Sequence, residues 1–287
     1  MIEEIFISGL ILGGLYCLMS IGFSLINGVA RVMNLAHGVL YMLTAYMIYS
    51  MVTSGVGLGP AIIISLIVIV IVSLAIYQLL IGPLREKGNQ AAIVTLALAL
   101  VFQEIVKLIF GPEIKSTPNI ANGYLFILGV RETYQKVLSL AVALTLVLIL
   151  WIFIKYTKQG KAIRAVAQNM EVARLVGVNI KRTFMLSMGI SALLAGFAAV
   201  LFAPTHYVSP NSWTILFTTF PVIVLGGLGS IKGSFVAAFI IAFIETTIKF
   251  TVVGAGNLVD IVTFVIMLIV LLIKPTGLFG KPIEDRM

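Results

Sequence analysis

Nine apolar runs, most of them near the length that crosses a bilayer, follow one another along the chain: residues 5–27, 35–54, 60–82, 91–110, 137–154, 183–203, 214–228, 233–253 and 258–273. About 20 apolar residues make a helix as long as the hydrocarbon core is thick. In lipid every backbone N–H and C=O needs a partner within the protein, so a series of such runs commits the chain to helices. Charged residues make up 10% of the 287, against about 25% in a soluble domain. The expected fold is an all-α, polytopic transmembrane bundle of about nine spans, with eight to ten compatible. Run 214–228 is short. Residues 120–130 (IANGYLFILGV) are too few to span and are expected to form a re-entrant or surface helix. The spans use up the length, so residues 1–287 are read as one membrane domain, and any energy-supplying or capture domain belongs on another chain.

Lys and Arg set the orientation, because they concentrate in cytoplasmic loops. With the N-terminus outside and the C-terminus cytoplasmic, 14 of the 19 basic residues fall inside: Arg31, Arg85, Lys87, the seven from Lys155 to Arg182, Lys232, Lys274, Lys281 and Arg286. Lys107, Lys115, Arg131, Lys136 and Lys249 fall outside. The net charge of +8 is therefore a topology signal. No basic run is interleaved with aromatics, and nucleic acid is not expected as a partner. The opening MIEEIFISG is acidic where a cleaved signal peptide would be basic, so the first run is taken as a retained span. A single cysteine, Cys17, excludes an internal disulfide and a cysteine-rich metal site. No metal site is expected.

The largest polar interruption is KQGKAIRAVAQNMEVARLVGVNIKR, residues 158–182, within a loop at 155–182. Gly160 is expected to end the preceding helix. Lys161 to Val176 contain neither Gly nor Pro and favour a new helix. On it Ala165, Asn169, Ala173 and Gly177 recur every fourth residue, a narrow ridge of small side chains. Such a ridge suits insertion into a groove on a cytoplasmic protein. The alternative is an amphipathic helix lying on anionic membrane lipid.

GKAIRAVAQNMEVARLVGVNIKRTFMLSMGISALLAGFAAVLFAP resembles the large cytoplasmic loop and following span of ABC-importer permeases, in particular the branched-chain amino-acid family, H-type subunit. GLYCLMSIGFSLINGVARVMNLAHGVLYMLTAYM (14–47), with its Asn-x-x-His-Gly turn at Asn34, His37 and Gly38, resembles that family's first two spans. FPVIVLGGLGSIKGSFVAAFIIAFIE (220–245) and KPTGLFG (274–280) resemble its Gly-rich connector and its C-terminal signature. The resemblance implies a heteromeric importer working by alternating access. A second, related permease subunit would pair with the chain in a prokaryotic inner membrane. Two cytoplasmic ATPase subunits would bind ATP and Mg, and an extracytoplasmic binding protein would deliver substrate; this chain would bind no cofactor. The implied coupling residues are Gly160, Arg164, Ala165, Asn169, Ala173 and Gly177. The family often carries an acidic residue where this chain has Gln168-Asn169. The implied substrate is a branched-chain or related amino acid, with urea or another small amide as the alternative and a stand-alone carrier or channel as a more distant one.

Polar groups inside spans are costly and so are functional candidates. Asn34, His37, Gln103, Glu104 and Glu245 are candidates for a translocation pathway or for polar helix packing. Glu104 can pair with Lys107, and Glu245 with Lys249. In the outer stretch APTHYVSPNSW, His206, Tyr207, Asn211 and Trp213 are candidates for docking the binding protein. Pro221, after Thr218 and Thr219, is expected to kink its helix, with side chains satisfying the freed carbonyl. GGLGSIKGS (226–234) is no phosphate-binding loop, since Lys232 precedes Gly233 rather than following it. An enzyme is disfavoured: the two aspartates are Asp260 and Asp285, HExxH is missing, and no G-x-S-x-G serine accompanies either histidine.

Overall fold

The computed structural model describes residues 1–84, 88–252, 254 and 256–280. Arg85, Lys87, Lys281, Asp285 and Arg286 lie outside the described residues. Each of the nine apolar runs falls on one helix: α1 (Ile2–Ala30), α2 (His37–Thr53), α3 (Leu58–Leu84, with a π-helical stretch at Tyr77–Ile81), α4 (Gly88–Phe110), α5 (Tyr134–Tyr156), α8 (Ile180–His206), α9 (Ile215–Gly226), α10 (Ile231–Thr251) and α11 (Gly256–Ile273). Between α5 and α8 lie two short loop helices, α6 (Lys158–Gln168) and α7 (Met170–Leu175). Among the described residues, six of these helices are long and apolar enough to cross a membrane: α1, α3, α4, α5, α8 and α10.

Helix α1 is the axis of the bundle and is buried over most of its length. It runs antiparallel to α10. A Cβ added to Gly9 would lie 2.6 Å from the Phe243 ring, and at Gly13 the same clash is with Phe239. The GxxxG spacing thus admits two phenyl rings one helical turn apart. Further along, Ser24 Oγ and Ser234 Oγ are 2.6 Å apart, and Gly28 backs onto the Gly229 main chain. On α8, Ala192, Ala195 and Ala199 are buried, and Gly196 meets Leu66 and Ile69 of α3. Both small-residue motifs therefore serve packing within the chain.

Three sequence expectations are corrected. The fold is not purely helical, because Tyr124–Ile127 (β1) and Val130–Thr133 (β2) form an antiparallel hairpin with Ile127 opposite Val130. The two turn residues, Leu128 and Gly129, have φ of 51° and 81°, the handedness a two-residue hairpin loop requires. Tyr, Phe and Ile beside that turn favour strand over the expected helix. Second, Gly160 lies inside α6; the cap is Thr157, whose Oγ1 accepts from the Gly160 N–H at 2.9 Å. Third, the helix expected from Lys161 to Val176 breaks at Asn169. There the backbone is extended, and the side-chain oxygen caps α7 by accepting from the Glu171 and Val172 N–H groups at 3.0 Å. The fourfold ridge through Ala165, Asn169, Ala173 and Gly177 is thus not a face of one helix.

The loops gather at two ends. At one, Arg31 donates to the Gln168 carbonyl (3.3 Å), and Leu278 N–H donates to the Leu225 carbonyl (2.7 Å). The C-terminal KPTGLFG segment thereby satisfies a carbonyl at the end of α9. At the other end Lys115 and Val208 exchange main-chain hydrogen bonds.

Candidate functional site

Helices α2 and α9 are short, at 17 and 12 residues, because both begin inside the bundle. After α1 ends in a left-handed Arg31 (φ 55°), residues 31–36 run back alongside it without helical structure. Asn34 organises this return. Its Oδ1 accepts from the Ala36 N–H at 3.2 Å, and its carbonyl accepts from the His37 N–H at 3.1 Å. The Leu35 N–H donates to Thr95 Oγ1 of α4 at 3.1 Å. Irregular backbone at membrane depth is tolerated only when protein groups satisfy it in this way.

His37, the first residue of α2, is fully buried. Its Nδ1 lies 3.1 Å from Ser191 Oγ on α8. Phe23 meets the ring edge-on at 6.3 Å, and the imidazole lies against Gly22, where an added Cβ would come within 3.0 Å of it. Gly22 is eight residues from the end of α1, about 12 Å at the rise of an α-helix. Ser191 is 11 residues into α8, about 16 Å. The start of α2 therefore lies deep in the bundle, and His37 tethers it to α1 and α8.

Trp213 sits there as well. It is 4% exposed, lies just ahead of α9, and presses its main-chain carbonyl onto Gly38. Its indole N–H donates to Gln103 Oε1 of α4. Gln103 is seven residues from the end of α4, about 10 Å in. The placement of Trp213 corrects its assignment to an outer docking surface: its indole is buried and is satisfied by the half-buried Gln103 of the same chain. Below this contact Phe23, Leu216 and Ile223 form a small apolar cluster separate from the main core. Within α9, Thr218 and Thr219 bond to the Ile215 and Leu216 carbonyls, not to the Phe217 carbonyl that Pro221 frees.

Asn34, His37, Gln103 and Trp213 thus converge where two interrupted helices begin. The other candidates lie apart. Glu104 points outward, 61% exposed, held by Lys107 Nζ at 2.7 Å. Glu245 is buried elsewhere, accepting from the Tyr16 hydroxyl (2.8 Å) and the Thr263 hydroxyl (3.3 Å), with Lys249 Nζ at 3.8 Å, so that it ties α1, α10 and α11 together. His206, Tyr207 and Asn211 are exposed at the end where Lys115 and Val208 pair. Sequence reasoning named Gly38 only as part of the Asn-x-x-His-Gly turn and did not single out Ser191 or Thr95 as partners in the junction. A hydroxyl or glycine within an apolar run was the available signal.

The loop helices form a second site. Gly160 faces inward, and the exposed Arg164 reaches back to the end of α5. An added Cβ on Gly160 would lie 2.6 Å from Ile154 Cα and its carbonyl oxygen, and Arg164 Nη1 donates to that carbonyl. Helix α6 is thereby folded back on the end of α5, with Ile163 and Val166 buried beneath it. Ala165 is half-buried and Ala173 is 2% exposed. Gly177, at φ 84°, closes α7 with no atom within 4 Å of an added Cβ. At α7 and its C-cap the outward face is apolar: Val172, Leu175 and Val176 are 54%, 86% and 72% exposed, a knob on a basic loop.

Long apolar helices, two helices interrupted in the interior and a separate helical loop at one end define a polytopic membrane permease. The model of the family described as "Branched-chain amino acid transport system / permease component" matches residues 5–271, and the chain belongs to that family. It is 28% identical to the high-affinity branched-chain amino acid transport system permease protein LivH of Salmonella typhimurium, over 97% of this chain and 96% of that protein. To LivM of Escherichia coli, named as a permease protein of the same kind of system, it is 28% identical over 78% of this chain and 59% of that protein. Among solved structures, PsaBC from Streptococcus pneumoniae in complex with Fab matches with a TM-score of 0.52 at 14% identity, covering 97% of this chain and 98% of the other, a likeness of fold.

Proposed function

We propose that the chain is the H-type permease subunit of an ATP-driven importer of branched-chain amino acids, set in the inner membrane with its N-terminus outside and C-terminus in the cytoplasm. All nine apolar helices lie within the membrane, α2 and α9 as half-crossings completed by residues 31–36 and 207–214. The observation that carries a transport role is the interior meeting of α2 and α9 at His37, Gly38 and Trp213. Transporters build their pathways from discontinuous helices, because only there can backbone polar groups face a solute at membrane depth.

A second permease subunit of the LivM kind completes the pathway. Two ATPase subunits, holding ATP and Mg, dock on the 155–182 loop, and a binding protein docks at the end bearing His206, Tyr207 and Asn211. The contact with the ATPase is made by the knob of Val172, Leu175 and Val176, held out by the Asn169 break. Gly160 and Arg164 act behind it, transmitting movement of α6 to α5. ATP-driven closure of the ATPases displaces the loop, and the junction then opens inward. The gathering of Arg31, Gln168 and the C-terminal segment at the loop end supports this orientation.

The test is uptake of radiolabelled leucine in a strain deleted for this chain and for redundant leucine carriers, with and without complementation. Leucine uptake that is lost, restored, and competed by valine but not urea is the expected result. Uptake that never depends on the chain overturns the substrate assignment, and competition by urea moves it to small amides.

A further inference from the structure

A groove of about 870 Å³ runs between α3, α6 and α8. Its wall along the helices is apolar: Val70 and Leu74 from α3, Leu186 and Ile190 from α8. Gly189 faces this open space, since an added Cβ there would meet only the Val70 side chain, at an ordinary 3.7 Å. The wall climbs α8 as far as Leu193, about 10 Å beyond Leu186 along the helix. The mouth has the opposite character. Lys158, Lys181 and Arg182 line it, and all three are exposed. Among the described residues none of them has a carboxylate within ion-pair distance.

We propose that this groove is a binding site for one anionic phospholipid of the cytoplasmic leaflet, its phosphate held by Lys158, Lys181 and Arg182 and an acyl chain laid along Val70, Gly189 and Ile190. The inference rests on the orientation given above. Three uncompensated cations at the mouth of a groove call for an anion of matching charge, and basic pockets between transmembrane helices on the cytoplasmic side hold acidic headgroups. The apolar wall decides the source of that anion. Free phosphate has no use for it, and a soluble ATPase cannot follow it into the membrane.

The full chain, purified in neutral detergent, is mixed with phosphatidylglycerol or phosphatidylcholine, and retained lipid is counted by native mass spectrometry. One phosphatidylglycerol is expected, preferred by at least about tenfold, as three cations at an anionic headgroup imply. Combining Lys158→Gln, Lys181→Gln and Arg182→Gln, all at exposed positions, should erase the preference. Gly189→Leu should reduce retention of phosphatidylglycerol with the cations intact. A preference that survives the triple change, equal retention of both lipids, or displacement by excess inorganic phosphate overturns the proposal. Lys181→Cys, labelled with an impermeant maleimide in right-side-out and inverted vesicles, tests the orientation separately. Labelling from outside alone removes the leaflet assignment without touching the lipid preference.

Discussion

Gly38 is the residue on which the interior junction turns. A Cβ at this position would overlap the Trp213 carbonyl, and main-chain atoms have little freedom to yield. Gly38→Ala should cost about 1–3 kcal/mol of stability, as overpacking a tight contact does. It should also depress leucine uptake more than the loss of folded protein explains. Thermal unfolding of the purified variant, set against uptake normalised to membrane-inserted protein, checks this. Wild-type uptake together with a lowered midpoint would mean that the contact is structural alone. His37 and Asn34 were legible at this scale, because a histidine and an asparagine beside an apolar run are conspicuous. Trp213 was misplaced, because a tryptophan among Pro, Asn and Ser looks like surface loop until Gln103, 110 positions earlier, is brought beside it.

At the scale of elements, the loop helix separates two tests that the sequence would have merged. Ala173 is buried, so Ala173→Arg would damage the loop's own packing and report little on docking. Leu175 is 86% exposed, so Leu175→Asp should leave insertion and unfolding unchanged while abolishing uptake and co-purification of the ATPase. An undiminished ATPase yield would remove the knob from the contact. The nine apolar runs announced their helices because apolar length is a direct physical signal in lipid. The break at Asn169 was not announced. The stretch has no helix breaker, and an asparagine that caps one helix looks the same in sequence as one that rides on another. The hairpin at 124–133 was missed similarly: Leu-Gly is an unusual two-residue turn, and four-residue strands carry little periodicity.

At the scale of the molecule, the arrangement fixes which loops share a side. Tyr207→Cys should react with an impermeant thiol reagent from the periplasm, and Val176→Cys only after the membrane is inverted or opened. Cys17 is buried and should stay silent in the unaltered chain. The opposite pattern, Val176→Cys reacting from the periplasm and Tyr207→Cys only after inversion, would reverse the orientation, and reaction of both from the periplasm would overturn the two-ended arrangement. The grouping of the loops into two sets was suggested by Lys and Arg, whereas the depth at which α2 and α9 begin required their neighbours.

The antiparallel seat of α1 on α10 also has a consequence in time. Tyr16 and Glu245, which bond across it, are 229 residues apart, and at translation speeds of about 5–20 residues per second the first helix waits about 10–45 s for its partner. During that interval Gly9 and Gly13 present an unfilled slot to whatever is in the membrane. A nascent chain stopped before Ile231 should therefore cross-link through α1 to insertion or quality-control factors, and a chain released whole should not.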